Sequence, residues 1–376
     1  MNLVAKLCIA VLLATNCLTS MYANDIYTSK HYTESMKKYL ISAQDALELM
    51  KKEGVKFVSG DDKDTFEGVG HIVGSVNIAA HYLNHTDITG KMACPPLFMC
   101  PKEAQEYISS KGISNDDLVI AYDNFRGPNA TGVWAFFKLY GHEKVMILNG
   151  GMDAIKAIDP AVIQSQKYKK EALKYKKIYK KAQKEEGKKS QAYKDAIGQY
   201  EKFKTLSLQA LEKSFVQKGK EVVSQTTQYV IDTNKIDLNL VASKQNVLEG
   251  VYDIQISGNS SKYAIIDTRG MEEIIGIDKK NNVARGGHIP GAKFIEWKNF
   301  TDFSNKLSYK TLQELQAIAD KYGLKKDQEI YTYCHVGTSR SSHVAIGLKI
   351  LGYENVKIYT GSWDEWGNDM NLPIYK

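Results

Sequence analysis

Apolar residues along this chain occur as short continuous runs and as stripes at helical spacing. Ala264-Ile265-Ile266 and Tyr331-Thr332-Tyr333 are runs that end in polar loops, which is typical of buried strands in a parallel sheet. The run Val344-Ala345-Ile346-Gly347-Leu348 continues a helix that follows the second strand. Strands that alternate with helices predict an α/β fold, with functional loops at the carboxyl edge of the sheets.

This arrangement is predicted to occur twice. Three groups of residues recur at a constant offset of 211 positions. The groups of the first copy are Ala121-Tyr122-Asp123, Gly141-His142 and Leu148-Asn149-Gly150-Gly151. Their counterparts are Thr332-Tyr333-Cys334, Gly352-Tyr353 and Tyr359-Thr360-Gly361-Ser362. A constant offset across strand, loop and helix indicates one duplicated α/β unit.

Cys334 lies between the second strand and its helix. The N–H groups and the dipole at a helix start favour an anion, so a thiolate is favoured over a thiol there. The polar loop that follows, with Gly337, is expected to expose the sulfur. We therefore predict a nucleophile or an anion holder, and a buried core cysteine is the alternative. Asp123 stands at this position in the first copy, which consequently cannot form a persulfide.

A basic amphipathic stretch separates the two copies. Residues 160–222 contain 17 Lys and 7 acidic residues, a net charge of +10 in a chain whose total is +7. Aromatic and small residues recur there at helical spacing, first Tyr168, Ala172, Tyr175, Tyr179 and Ala182, then Tyr193, Ile197 and Tyr200. This predicts a helical hairpin. Either it is a solvated insert, or residues 165–222 dock to an acidic protein or a membrane surface. Nucleic-acid binding is not expected, because the amino terminus, residues 1–23, resembles an export signal.

The amino terminus resembles a secretory signal. Residues 1–23 contain Lys6, an apolar run from Leu7 to Ala14, and Met21-Tyr22-Ala23 before a polar start. The run is too short to span a membrane, so we expect a periplasmic protein, and an uncleaved anchor is the alternative. In that oxidising compartment, Cys94 and Cys100 either close a short disulfide loop or remain free thiols.

Four segments of the second copy resemble the catalytic domain of the rhodanese (thiosulfate/mercaptopyruvate sulfurtransferase) family. They are Asp267-Thr268-Arg269, Gly287-His288-Ile289-Pro290-Gly291-Ala292, the Cys334 loop, and the end from Gly352 to Trp366. Tandem members combine an inert first domain with a catalytic second one. The resemblance implies two rhodanese-like domains, each a mainly parallel sheet flanked by helices. With the insertion, the expected division is residues 24–159, 160–228 and 229–376.

The resemblance also implies an activity and a site. Cys334 would take sulfur from thiosulfate or a related donor as a persulfide and pass it to a thiol or cyanide. The substrate-binding candidates are His335, Val336, Gly337, Thr338, Ser339, Arg340 and Arg285. Asp267 and Arg269 would brace the loop as an ion pair. No metal or organic cofactor is expected.

Two features depart from the family pattern. Gly132 stands where tandem members carry an arginine that holds the substrate anion, and Arg126 is a candidate replacement. We therefore expect poor use of mercaptopyruvate, which Gly132→Arg should improve if the pocket retains the family's shape. Cys334 and Arg340 bracket five residues, one more than expected. This C-x5-R spacing suits phosphatase or arsenate-reductase chemistry, which remains an alternative together with a non-catalytic sulfur carrier.

Overall fold

The computed structural model describes residues 25–376 with the exception of residues 85, 88 and 125. The predicted signal segment, residues 1–23, lies outside the described residues. Within the described part of the chain, no helix combines the length and the apolar character needed to cross a membrane. Two five-stranded sheets divide this part into a first and a second unit.

The first unit is a parallel sheet with helices packed around it. Its strands are β1 (Leu40–Ile41), β2 (Val55–Ser59), β3 (His71–Ile72), β4 (Val76–Asn77), β5 (Leu118–Tyr122) and β6 (Val145–Leu148). All except β3 form the sheet, in the order β1-β6-β5-β2-β4. Its helices are α1 (Glu34–Lys37), α2 (Ala43–Leu49), α3 (Pro101–Ser110), α4 (Pro128–Leu139) and α5 (Gly151–Ile158).

Two long helices follow the first unit, α6 (Pro160–Glu185) and α7 (Gln191–Leu211), and they pack together as a hairpin. The aromatic seam predicted from the sequence joins them. Tyr175 stacks on Phe203 with the ring centroids 5.7 Å apart, and the centroids of Tyr179 and Tyr200 lie 5.4 Å apart. The two amphipathic stripes therefore bury each other.

Asp159 closes the base of this hairpin. Its buried carboxylate accepts hydrogen bonds from both ends, namely from the N–H groups of Ala161, Val162 and Phe215 and the hydroxyl of Ser214. The chain then returns along the first unit, where β7 (Val216–Gln217) pairs antiparallel with β3. The stretch predicted as an insertion, residues 160–228, thus contains the hairpin and a segment packed on the first unit.

The second unit repeats the first. Its strands are β8 (Val241–Ala242), β9 (Tyr263–Asp267), β10 (Lys293–Phe294), β11 (Glu329–Tyr333) and β12 (Val356–Tyr359). They form a parallel sheet in the order β10-β9-β11-β12-β8. Its helices are α8 (Lys244–Ser257), α9 (Met271–Ile274), α10 (Leu312–Lys321), α11 (Arg340–Ile350) and α12 (Ser362–Trp366).

The registers of the two sheets correspond at the predicted offset. Val119 pairs with Val145 in the first sheet, and Ile330 pairs with Val356, each 211 positions later, in the second. These central strands are largely buried, which is why they read as continuous apolar runs. The predicted class, an α/β protein with two such units and a helical segment between them, is confirmed.

Cys94 and Cys100 form a disulfide with their Cα atoms 5.3 Å apart. This decides between the two alternatives that the sequence left open. Among the described residues, Cys334 is the free cysteine, and it is buried. The expectation that the polar loop exposes the sulfur is therefore wrong, because the loop closes around it with the Gly337 N–H. The bridged segment precedes α3 and follows a short helical turn, Ala80–Tyr82, that faces the second unit.

The units meet along α4 and α11 at two glycine contacts that are related by the repeat. A Cβ added at Gly127 would lie 2.8 Å from Cε1 of His343, and one at Gly132 would lie 1.6 Å from the carbonyl oxygen of Thr338. Thr338 and His343 stand 211 positions after Gly127 and Gly132, so the contact is pseudo-symmetric. The condition for the expected effect of Gly132→Arg is not met, because the loop backbone occupies the space that its side chain needs.

We predict that Gly132→Ala destabilises the protein although alanine is the better helix former. The added methyl group forces α4 and the Thr338 carbonyl apart, and such overpacking costs about 1–3 kcal/mol. Gly198→Ala in α7 is the matched control, because its Cβ would enter open space. There we expect a gain of about 0.5–1 kcal/mol from helix propensity. Urea unfolding of both variants measures the two changes, and a gain in both would contradict the tight contact at Gly132.

Candidate active site

The Cys334 sulfur lies at the start of a tight loop between β11 and α11. Its Sγ accepts a hydrogen bond from the Gly337 N–H at 3.2 Å and one from the Ser341 hydroxyl at 3.5 Å. The Cys334 N–H donates to the Ser362 hydroxyl at 3.1 Å, which fixes the residue from behind. Gly337 has a φ of +78°, and a Cβ there would lie 2.2 Å from the Thr360 carbonyl oxygen, so the turn requires glycine.

The surroundings of Cys334 favour the thiolate. Burial raises the pKa of the thiol, but the Arg340 guanidinium and the hydrogen bonds from Ser341 and Gly337 more than offset it. The pKa of Cys334 therefore lies below its ordinary value. A thiolate is the form of cysteine that acts as a nucleophile, so this loop can hold and activate the sulfur.

Arg340 is held by a carboxylate that the sequence analysis did not single out. Its Nη1 lies 2.5 Å from Oε2 of Glu273 and its Nη2 lies 3.1 Å from Oε1, so the contact is bidentate. Burial raises the pKa of Glu273, but the bonds and the charge of Arg340 outweigh it and keep that pKa low. Glu273 on α9 therefore fixes the guanidinium beside the cysteine loop.

A cavity of about 400 Å³ opens above Cys334. Five predicted site residues line it, namely Cys334, His335, Val336, Ser339 and Arg340. Three further lining residues were missed from the sequence, namely His81, Lys280 and Asn282. No spacing marks these three, because only the packing of the units and of the loop before β10 brings them to the cysteine.

The other predicted site residues lie around this cavity in different roles. Thr338 places its backbone carbonyl against Gly132 at the unit interface. Asp267 and Arg269 form a buried ion pair, 2.7 Å between Oδ2 and Nη2, and the Arg269 guanidinium covers the ring of Trp363. This pair supports the end of β9, next to β11.

Arg285 is not directed at the cavity, which corrects its assignment as a substrate-binding residue. Its guanidinium donates to four backbone carbonyls near the carboxyl terminus, those of Trp366, Gly367, Asp369 and Leu372. Such a fork of bonds fixes the last segment of the chain against the second unit. Arg126, the candidate replacement for the family's arginine, likewise pairs elsewhere, with Asp153 at 2.7 Å.

His335 is neutral near pH 7. Burial and the Arg340 charge lower its pKa to about 4. Its Nε2 contacts Oδ1 of Asn282 at 3.0 Å, and the Asn282 amide donates to Asp364, which in turn accepts from the Thr86 hydroxyl. This network connects the cysteine loop to the first unit. Across the described residues, no group of three or more His, Cys, Asp or Glu side chains is arranged to bind a metal.

The corresponding loop of the first unit is already filled by its own side chain. The Asp123 carboxylate accepts hydrogen bonds from the N–H groups of Gly127, Asn129 and Ala130. These amides start α4 as the Cys334 loop starts α11. A carboxylate therefore occupies the anion-binding amides of this copy, and no sulfur chemistry is available there.

The comparison with protein families identifies both units. The model of the rhodanese-like domain matches residues 42–158 and again residues 253–369. The chain belongs to the rhodanese family. The tandem arrangement predicted from the sequence is thereby confirmed, and the protein is a rhodanese-type sulfurtransferase. Sulfur transfer from a donor to an acceptor is the activity of this family.

Individual relatives agree with this assignment. A thiosulfate sulfurtransferase of Corynebacterium glutamicum is 26% identical over 337 residues, which cover 85% of this chain and 85% of the relative. A sulfur carrier protein, TtuD, of Thermus thermophilus is 26% identical over 289 residues, 74% of this chain and 78% of the relative. The fold also resembles that of an anaerobic ergothioneine biosynthesis enzyme from Chlorobium limicola. The TM-score is 0.59 at 18% identity, covering 91% of this chain and 71% of that one.

Asp61, whose carboxyl interacts with the charge of Asp123, is expected to make the stability of the protein depend on pH. Burial and the neighbouring Asp123 charge raise the pKa of Asp61 from 3.8 to about 7. The folded protein therefore binds this proton more tightly than the unfolded chain does. The stability contributed by Asp61 is fully present below the unfolded pKa of 3.8 and is lost as the pH rises through about 7. Asp61→Asn removes this loss, so its stability relative to the unsubstituted protein should increase between pH 4 and pH 7.

Urea unfolding of both proteins at several pH values measures this difference. The two proteins must be compared because buried histidines also make stability depend on pH between 4 and 7. The pKa of His335 is lowered, so its contribution to stability increases with pH, opposite to that of Asp61. A difference that does not change with pH would show that Asp61 titrates normally.

Proposed function

We propose that this protein is an exported sulfurtransferase that moves sulfane sulfur from thiosulfate or a related donor to a thiol or cyanide through a persulfide on Cys334. The observation that carries the proposal is the position of the Cys334 sulfur. It accepts bonds from Gly337 and Ser341 at the floor of an open cavity, beside the Arg340 cation. Export rests on the signal-like residues 1–23 and accords with the disulfide between Cys94 and Cys100.

The reaction proceeds in two displacements. The Cys334 thiolate attacks the outer sulfur of thiosulfate, the donor S–S bond breaks, and sulfite leaves with the bonding electron pair. The persulfide anion stays within reach of the loop amides, as an oxyanion does in other enzymes. An acceptor thiolate or cyanide then attacks the outer sulfur, and the Cys334 thiolate is restored. This is covalent ping-pong catalysis.

The charges around the cavity suit an anionic donor. Arg340 and Lys280 line it, and the guanidinium of Arg340 keeps its orientation through Glu273. A cation that is fixed before binding loses little entropy when the donor arrives. Mercaptopyruvate would lack the arginine that Gly132 replaces.

Phosphatase or arsenate-reductase chemistry at the C-x5-R loop has less support. Such a reaction needs a general acid for the leaving group, and the sequence offers His335 or Ser339. His335 has a pKa of about 4, so it carries no acidic proton of suitable strength near pH 7. Ser339 is a far weaker acid.

A sulfur carrier is the second candidate function. It is favoured by the similarity to the carrier protein of Thermus thermophilus. A carrier would form the same Cys334 persulfide and release it only to a particular protein. The discharge step with small acceptors distinguishes the two, since a carrier turns over slowly with cyanide and simple thiols.

Cys334→Ser should abolish sulfur transfer while the fold is retained, because a hydroxyl cannot accept a sulfane sulfur. We expect turnover of thiosulfate with cyanide to fall by about 10³-fold or more, as for removal of other nucleophiles. Mass spectrometry should detect the added sulfur atom only in the unsubstituted protein. Retention of substantial turnover would assign the chemistry to another residue.

The hairpin α6–α7 should be separable from this chemistry. Its lysines are mostly in solvent, with Lys174 and Lys181 exposed by 65% and 74%, and its ends meet at Asp159. We propose that it binds an acidic surface, either of a protein or of anionic lipid. Replacing residues 162–210 with a short flexible linker should leave thiosulfate turnover within a few-fold and abolish binding to anionic vesicles or to an acidic protein.

A full-length control tests charge alone, with Lys176, Lys177, Lys180 and Lys181 changed to Gln. Binding of the intact protein should weaken steeply as salt rises, because exposed charges are screened. Vesicle co-sedimentation and pull-down at low and high salt measure both effects. Binding that ignores salt, or no binding, would leave the hairpin as a solvated insert.

A further inference from the structure

His81 is contributed by the first unit but faces the chemistry of the second. It lies in the short turn Ala80–Tyr82 and lines the cavity above Cys334. Its Nε2 is 3.3 Å from the hydroxyl oxygen of Ser339 in the cysteine loop. Neither displacement at Cys334, as proposed so far, uses this imidazole.

A second cavity shares His81 with the first as a lining residue. It is an open groove of about 730 Å³ on the first unit, and His81 lines both spaces. The wall of the groove includes Tyr82, Asn84, Thr86, Lys91 and Ala93. The Asn84 amide donates to the carbonyls of Val336 and Thr360, so this wall is fixed to the second unit. His81 therefore borders both the groove and the cavity of Cys334.

The charges around His81 keep the imidazole neutral. Burial and the Arg340 cation lower its pKa, and the charge of Asp62 opposes them only in part. Lys280 adds a second cation to the same cavity. A neutral imidazole has one nitrogen lone pair available as a proton acceptor. Aliphatic thiols are mostly protonated at neutral pH and are poor nucleophiles in that form.

We propose that the groove is the binding site for the acceptor thiol and that His81 removes the thiol proton as the sulfur attacks. The proposal rests on the proposed sulfur transfer through Cys334 and assigns the second half of it. The thiol S–H bond breaks and its proton passes to the His81 ring. The thiol sulfur forms a bond to the outer persulfide sulfur, the bond from that sulfur to Cys334 breaks, and Cys334 leaves as a thiolate. His81 then returns its proton to water.

A single-turnover experiment separates the two halves of the reaction. The protein is loaded with thiosulfate, the loading of Cys334 is measured by mass spectrometry, and excess donor is removed. The loaded protein is then mixed with 2-mercaptoethanol or with sulfite. Sulfite is the matched control acceptor, because above neutral pH it carries no proton that a base must remove, and it regenerates thiosulfate.

His81→Gln should slow discharge by 2-mercaptoethanol by about 10²-fold or more at neutral pH, the usual contribution of a general base. Glutamine can still contact Ser339, so discharge by sulfite should change by a few-fold at most. The deficit should disappear as the pH approaches the pKa of the thiol, because the thiolate then needs no base. An equal loss with both acceptors, or a deficit that persists at high pH, would overturn the role of His81 as a base.

The groove is tested without changing His81. Ala93→Trp should obstruct it and reduce discharge by 2-mercaptoethanol at every pH, and loading of Cys334 by thiosulfate should be unchanged. Ala192→Trp on the exposed face of α7 is the matched control and should have no effect. Unaltered thiol discharge in Ala93→Trp would overturn the groove as the acceptor site. Failure of the unsubstituted protein to load sulfur would instead contradict the proposed function, and the loading step reports this separately.

Discussion

The contact between α4 and α11 determines the geometry of the active site. It is close because Gly132 has no side chain, which allows the first unit to touch the Thr338 carbonyl in the cysteine loop. The same contact brings the turn with His81 to the mouth of the cavity. The first unit is therefore a wall of the site and not merely a passive support, although it has no reactive cysteine of its own.

The two copies use the same loop backbone for different side chains, one unreactive and one nucleophilic. Each has a loop whose amides converge on the side chain that follows the central strand. In the first copy this side chain is Asp123, and its own carboxylate satisfies the amides. In the second it is Cys334, whose sulfur accepts bonds from Gly337 and Ser341. An aspartate at this position is therefore sufficient to fill the loop of the first copy with an anion of its own.

Much of this fold was predictable because its signals are local. Buried parallel strands read as apolar runs, the constant offset marks the duplication, and the aromatic seam at helical spacing marks the hairpin. The cysteine loop was also predictable, since strand, loop and helix are contiguous in the sequence. Glu273, His81 and Lys280 were not, because each approaches the site only through tertiary packing. Arg285 and Gly132 illustrate the opposite error, since proximity in sequence to a family motif does not determine where a side chain points or whether it has room.

The buried carboxylate of Asp159 has a consequence for how such a chain changes over time. Asp159 joins the two ends of the hairpin. The structure at its base therefore does not depend on the length of the helices between these ends. Helical segments can then be lengthened, exchanged or lost at this point without disturbing either sheet. A position of this kind offers protein engineers a place to graft a foreign domain.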